Sequence, residues 1–124
     1  MANFRKFTTS SGKIVLGGKS AENNEKLIKQ VNPEETVLHT KAPGSPFANL
    51  KGKATKKDIK EAAVFCARYS QDWRDNKKDM IVHYFKGKDI YKNKLMPTGT
   101  FGVRKFKEIT VKKEDIEKFQ GEQK

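Results

Sequence analysis

The stretch TVLHTKAPGSPFANL, residues 36–50, decides how this chain folds. Thr36 to Thr40 is β-branched and apolar, which suits a strand, and Phe47 to Leu50 resumes extended structure. Between them Pro43-Gly44-Ser45-Pro46 forces a turn. Pro43 fixes φ at the first corner, and Gly44 accepts the positive φ that a type II turn demands. His39 stands at the mouth of that turn. The arrangement exposes the Gly44 and Ser45 amides beside an imidazole, a set that suits a phosphodiester or carbonyl oxygen. The same imidazole titrates near neutrality and is a candidate general base, with Glu34 and Glu35 just upstream to orient it. It serves equally as a structural histidine that ties the loop down.

Outward from this unit the pattern is α+β. Before it, Phe4 to Thr8 and Lys13 to Gly18 read as two strands of a hairpin around the turn cluster Thr9 to Gly12. Ser20 caps a helix that runs to about Val31, with Leu27, Ile28 and Val31 inward, and Pro33 stops it. After it, Thr55 with Asp58 is a capping-box start. The helix behind it reaches about Tyr69 and carries Ile59, Ala62, Ala63, Cys66 and Tyr69 on one face. Val64 falls on the opposite, charged face. Ser70 to Asp79 reads as a polar connection. Met80 to Phe85 is a strand, and residues 86–102 form a long basic loop with a short edge strand at Ile90 and Tyr91. Period-two alternation over residues 103–112 predicts one further strand, and Asp115 to Phe119 a last short helix. The expected whole is a single domain over residues 1–124: a mixed sheet of about six strands, two main helices, and a frayed tail over 119–124.

The chain carries 27 Lys and Arg against 15 Asp and Glu, a formal charge of +12. Residues 51–113 hold 18 basic and 7 acidic side chains, so most of the surplus lies there. Such a surplus attracts polyanions before any specific contact forms, although a lysine-rich solvated surface has the same composition. An anionic membrane is a weaker partner, since no basic amphipathic helix with bulky apolar residues stands out. Cys66 is the only cysteine, so no internal disulfide and no cysteine-based zinc site is expected, and a reducing, cytoplasmic setting fits. Residues 1–12 lack the apolar run of a secretion signal. No metal or cofactor is implied.

Three further clusters carry candidate binding residues. In LGGKS, Gly18 and Lys19 precede the helix capped by Ser20, and amides with a cation at a helix start can hold a phosphate. The P-loop spacing is absent, and a strand-to-helix turn needs glycine anyway. In CARYSQDWRD, Arg68, Tyr69, Ser70, Trp73 and Arg74 interleave aromatics with arginines. That suits base stacking and phosphate pairing, or else a tryptophan plugging the core edge. Lys86, Lys88, Lys92, Lys94, Arg104, Lys105 and Lys107 form a basic loop and strand, which joins the five lysines of residues 51–60 in one electropositive surface. His83 reads as a half-buried strand residue with no metal partner.

These residues also carry a resemblance. FTTSSGKIVLGGK (residues 7–19) with Asn24 and Leu27, EETVLHTKAPGS (34–45), AAVFCARYSQDWR (62–74), and VHYF (82–85) followed by MPTGTFGV (96–103) stand in order at spacings that resemble the NFACT RNA-binding domain, in its stand-alone form. The resemblance implies RNA binding within translation or ribosome-associated quality control, with tRNA, rRNA or the ribosome as partners and DNA as an alternative. It carries over Gly18, Lys19, Asn24, His39, Pro43, Gly44, Ser45, Tyr69, Ser70, Arg74, Tyr84, Pro97, Gly99 and Gly102. Lys51, Lys94 and Lys105 join them on charge. The chain departs from the family pattern at Val37, which replaces an aromatic, at Pro46, which replaces a second histidine, and at Phe85 and Met96, which replace a threonine and a lysine. The loss of the second histidine favours binding over two-histidine catalysis. The readings that follow are an RNA-binding module, an enzyme on RNA or an RNA-linked ester with His39 as base, and a ribosome-docking adaptor.

Overall fold

Six short runs of β-formers, each bounded by turn residues, pair into one sheet. The computed structural model describes residues 3–122. β1 (Arg5–Thr8) and β2 (Ile14–Gly17) form the expected hairpin, with Phe7 opposite Val15. β3 (Thr36–Thr40) and β4 (Ala48–Leu50) flank the Pro-Gly loop, and β5 (Met80–Lys86) lies on the other side of β3. The spatial order is β1-β2-β4-β3-β5-β8, where β8 is Lys107–Val111. Every neighbouring pair is antiparallel, so the sheet is antiparallel throughout and not mixed. The chain leaves β4, passes β3 and returns as β5, so β4 and β5 run the same way but are separated by β3 and never pair.

β3 is the central strand of the packing. Leu38 faces one side and Val37 the other, and both are fully buried. Helix α2 (Lys56–Arg68) and the C-terminal helix α4 (Lys113–Glu122) cover the first face. There Ala62, Ala63, Phe65 and Cys66 meet Val15, Leu38, Leu50 and Val82, with Ile116 and Phe119 closing the far end. Phe7 stacks on Phe65 at 5.6 Å and meets Phe119 edge-on at 5.2 Å. Val64, out of place on a charged face, packs against this core. Helix α1 (Ala21–Lys29) covers the second face through Leu27, which meets Val37, Phe47 and Phe85.

The capping box at the start of α2 is present in both directions. Thr55 accepts from the Asp58 amide and Asp58 accepts from the Thr55 amide. Asp58 is buried and also accepts from the Thr9 and Ser11 hydroxyls, so one carboxylate pins the β1–β2 turn to α2. The Ser11 hydroxyl and the Thr55 amide outweigh burial and hold that carboxyl well below the usual range. Burial pushes the Cys66 thiol up to about 12.

Three further expectations need correction. Ser70 to Asp79 is not a plain connection: Ser70 caps α3 (Gln71–Asn76), accepting from the Trp73 amide at 3.1 Å. The strand expected over residues 103–112 is broken. Gly102–Val103 (β7) pairs instead with Ile90–Tyr91 (β6) as a separate ribbon, and pairing with β5 starts only at Lys107. Alternation marks extended chain but not its partner. The tail expected to fray from residue 119 is helical to Glu122, because Phe119 is buried against Phe7 and Phe65; residues 123–124 lie outside the described part.

Candidate functional site

Helix α1 and the β6–β7 ribbon cover only part of the second sheet face. The uncovered part holds His39 of β3 and His83 of β5, which are cross-strand partners. Around them the loop 41–47, the start of α1, residues 98–101 and the end of α2 close a cleft of about 750 Å³. Of the residues expected to bind, it gathers Gly18, Lys19, Asn24, His39, Gly44, Ser45, Tyr69 and Arg74, together with Pro43 and Gly99.

Each has a local reason to be there. Gly18 must lack a side chain, since a Cβ would lie 1.8 Å from the Asn24 Oδ1. That oxygen accepts from the Phe47 amide at 3.2 Å, and the Gly18 amide donates to the Phe47 carbonyl at 3.0 Å. The glycine and asparagine thus clamp the far end of the Pro-Gly loop. Gly44 takes φ +87°, as the type II turn requires, and its carbonyl accepts from the Gln71 amide. The Ser45 hydroxyl accepts from the Thr40 amide and donates to the Pro46 carbonyl, so it holds the loop and is not free to bind. Among the described residues the Gly44 and Ser45 amides meet no acceptor. The Lys19 amide donates to the Asn23 Oδ1 at 2.9 Å, so of this residue's donors the ammonium is the one left to meet a ligand.

His39 is half-buried. Its Nδ1 is 2.7 Å from the Thr40 carbonyl oxygen. A carbonyl only accepts, so Nδ1 carries the proton and Nε2 is left as an acceptor. Burial pushes the imidazole below its ordinary range, and nearby His83 adds to this against the Thr40 bond. His39 is therefore neutral at neutral pH. What orients it is a backbone carbonyl and the Phe47 ring at 4.5 Å; Glu35 is turned away to the other end of β3.

The cations of the cleft are Arg5, Lys19, Lys41 and Arg74, and its lining contains no Asp or Glu. Arg5 was not expected. It lies opposite Gly17 in the hairpin, donates to the Gly18 carbonyl at 2.7 Å and covers the Tyr69 ring at 4.4 Å. Nothing in its sequence surroundings marks it; the strand register brings it in. Phe47, Phe101 and Phe106 also line the cleft and were missed, because lone phenylalanines read as core.

The remaining expected residues lie elsewhere. Lys51 bonds Glu35, Gln30 and Asn49, and is a structural cation. Burial would raise the Glu35 carboxyl, but Lys51 and the Gly52 and Asn32 amides hold it down at about 2. Tyr84 and Lys105 line a second groove that includes Glu34, Glu35 and Asp89. Lys94 is exposed and outside the cleft. Ser70 is buried as the α3 cap. Trp73 is 1% exposed, so it plugs the core and cannot stack a base. Within the electropositive surface expected from residues 51–113, carboxylates take part of the charge: Glu34 pairs Lys86 and Lys88, Glu25 pairs Lys92, and Asp79 pairs Lys112.

Known proteins share both the sequence pattern and the fold. The chain is 27% identical over 107 residues to the archaeal Rqc2 homolog aRqcH of Methanocaldococcus jannaschii, covering 80% of this chain and 16% of that protein. Its fold matches the C-terminal part of the fibronectin/fibrinogen-binding protein from Streptococcus suis with a TM-score of 0.82 and 18% identity, over 95% of this chain and 49% of that one. The chain thus spans less than half the length of these relatives. The pattern of the NFACT protein RNA binding domain matches residues 3–105. A match that takes in the hairpin, the Pro-Gly loop, α2 and the ribbon, and with them nearly the whole cleft lining, places this chain in the NFACT RNA-binding domain family.

Proposed function

We propose that this chain is an RNA-binding module of the ribosome quality-control machinery, and that the cleft is its binding site. The observation that carries the reading is the lining itself: Arg5, Lys19, Lys41 and Arg74 line one cleft in which no Asp or Glu does, with Glu108 at the rim 4.0 Å from Lys41. Elsewhere carboxylates neutralise several lysines, Lys51, Lys88 and Lys92 among them. Arg5, Lys19 and Arg74 have no carboxylate partner among the described residues; cations in a concave site attract a phosphate backbone, and the amide of the exposed Gly44, which meets no acceptor, adds a donor. The similarity to the Rqc2 homolog supports ribosome quality control as the setting. A cytoplasmic location and a tRNA or rRNA target belong to the same proposal.

His39 takes the role of acceptor. Its Nε2 cannot bond a phosphate oxygen, which also only accepts, but it can accept from a ribose 2′-hydroxyl or a base amino group. A general-base role is the weaker reading, since a neutral carbonyl and not a carboxylate orients the ring.

The test is a salt titration of binding to a single-stranded RNA. With four phosphate contacts the log–log slope should be about −3, so affinity should fall roughly fifty-fold between about 50 and 200 mM salt. Lys19→Ala should reduce the slope by about 0.7. A salt-insensitive affinity, or a slope unmoved by Lys19→Ala and Arg74→Ala together, would contradict the proposal.

A further inference from the structure

Phosphate contacts hold a strand but do not say which part of it enters the cleft. Both aromatics that the sequence offers for base stacking are engaged. Trp73 is buried, and the Tyr69 ring has the Arg5 guanidinium at 4.4 Å, that of Arg68 at 4.7 Å and the Phe65 ring edge-on at 5.3 Å. One aromatic at the rim is different. Phe106 is 50% exposed and stacks on the His83 imidazole, centroids 4.1 Å apart and planes 21° from parallel. Glu108 bonds that imidazole through Nε2 at 2.9 Å and reaches Lys41 at 4.0 Å. Phe106 lies in the break between β7 and β8, flanked by Arg104, Lys105 and Lys107. Its outer face is open for a further ring to stack on, and cations flank it in sequence.

We infer that the Phe106–His83 stack is a base-stacking step, and that the ligand of the cleft is therefore an unpaired nucleotide of a single strand rather than a duplex. The inference rests on the proposed function above and adds the class of nucleic acid and the residue that selects it. A nucleobase on the outer face of Phe106 extends the stack to three rings. Its sugar then turns into the cleft toward His39, and its phosphates toward Lys41 and Arg74. In a helix both faces of a base are already covered by its neighbours, so a duplex offers nothing to Phe106.

The experiment uses the full chain with a single-stranded RNA that carries one fluorescent 2-aminopurine, and with the same sequence as a duplex. Binding of the single strand should quench the fluorophore, and Phe106→Ala should remove the quench and weaken single-strand affinity about ten-fold or more. Phe106→Tyr should keep both. The salt slope should be the same in all three proteins, because the phosphate contacts remain. Duplex affinity should be weaker than single-strand affinity in the wild type and unmoved by Phe106→Ala. Wild-type binding with Phe106→Ala equal to wild type overturns the stacking step alone. A wild type that binds neither probe overturns the RNA-binding reading itself. Circular dichroism of Phe106→Ala separates lost stacking from lost fold, and Phe106→Tyr provides the second check.

Discussion

Gly18 and Asn24 show how closely single residues set the cleft. A methyl at Gly18 would strike the Asn24 Oδ1 that holds the Phe47 amide. Gly18→Ala should cost about 1–3 kcal/mol in a denaturant melt, and Asn24→Ala in the same chain should recover part of that. Additive losses would show the two are not coupled. Trp73→Ala should cost about 3–5 kcal/mol as a core truncation, while Trp73→Phe should leave RNA affinity intact; a loss of binding in a stable Trp73→Phe protein would contradict its assignment to the core. Glu35 gives a pH signature. Its carboxyl is ordinarily near 4.5 and lies at about 2 in the fold, so the folded state binds fewer protons in that window. Its stabilisation is complete above about 4.5 and is lost as pH falls toward about 2. Glu35→Gln should therefore lose less stability than wild type between about pH 5 and pH 3; equal losses would count against the Lys51–Glu35 pair.

At the scale of elements, the Thr55–Asp58 box joins a helix start to a hairpin turn. Thr55→Ala should cost about 1 kcal/mol, and Asp58→Asn should cost more because the Thr9 and Ser11 hydroxyls lose a charged acceptor with it. Chemical denaturation of both variants checks the order. The elements that sequence made legible are those whose signals are local. β3 ends where the Pro-Gly turn begins, and α2 starts at its own capping box. α3 escaped because six residues are too few to show a period; Ser70 is its cap in the structure. β8 was drawn too long because alternation continues through Arg104 and Lys105 while the backbone changes partner from β6 to β5. That hidden change of partner is also what puts Phe106 at the cleft rim. The cleft loop at Pro43-Gly44 was legible for the same local reason as β3. Arg5 was not, since only strand pairing brings residue 5 to residue 18.

Across the whole molecule, charge quantity and charge availability part company. Residues 51–113 hold most of the surplus, yet three of the four cleft cations come from residues 1–50. Composition counts lysines, whereas attraction to a polyanion depends on where cations gather in a concave site. Mapping RNA-induced amide shifts by NMR on the labelled chain tests this most directly. The account predicts that the shifts concentrate at Lys19, His39, Lys41, Gly44, Arg74 and Phe106. Shifts gathered instead along the lysines of α2, at Lys56, Lys57 and Lys60, with the cleft unmoved, would contradict it.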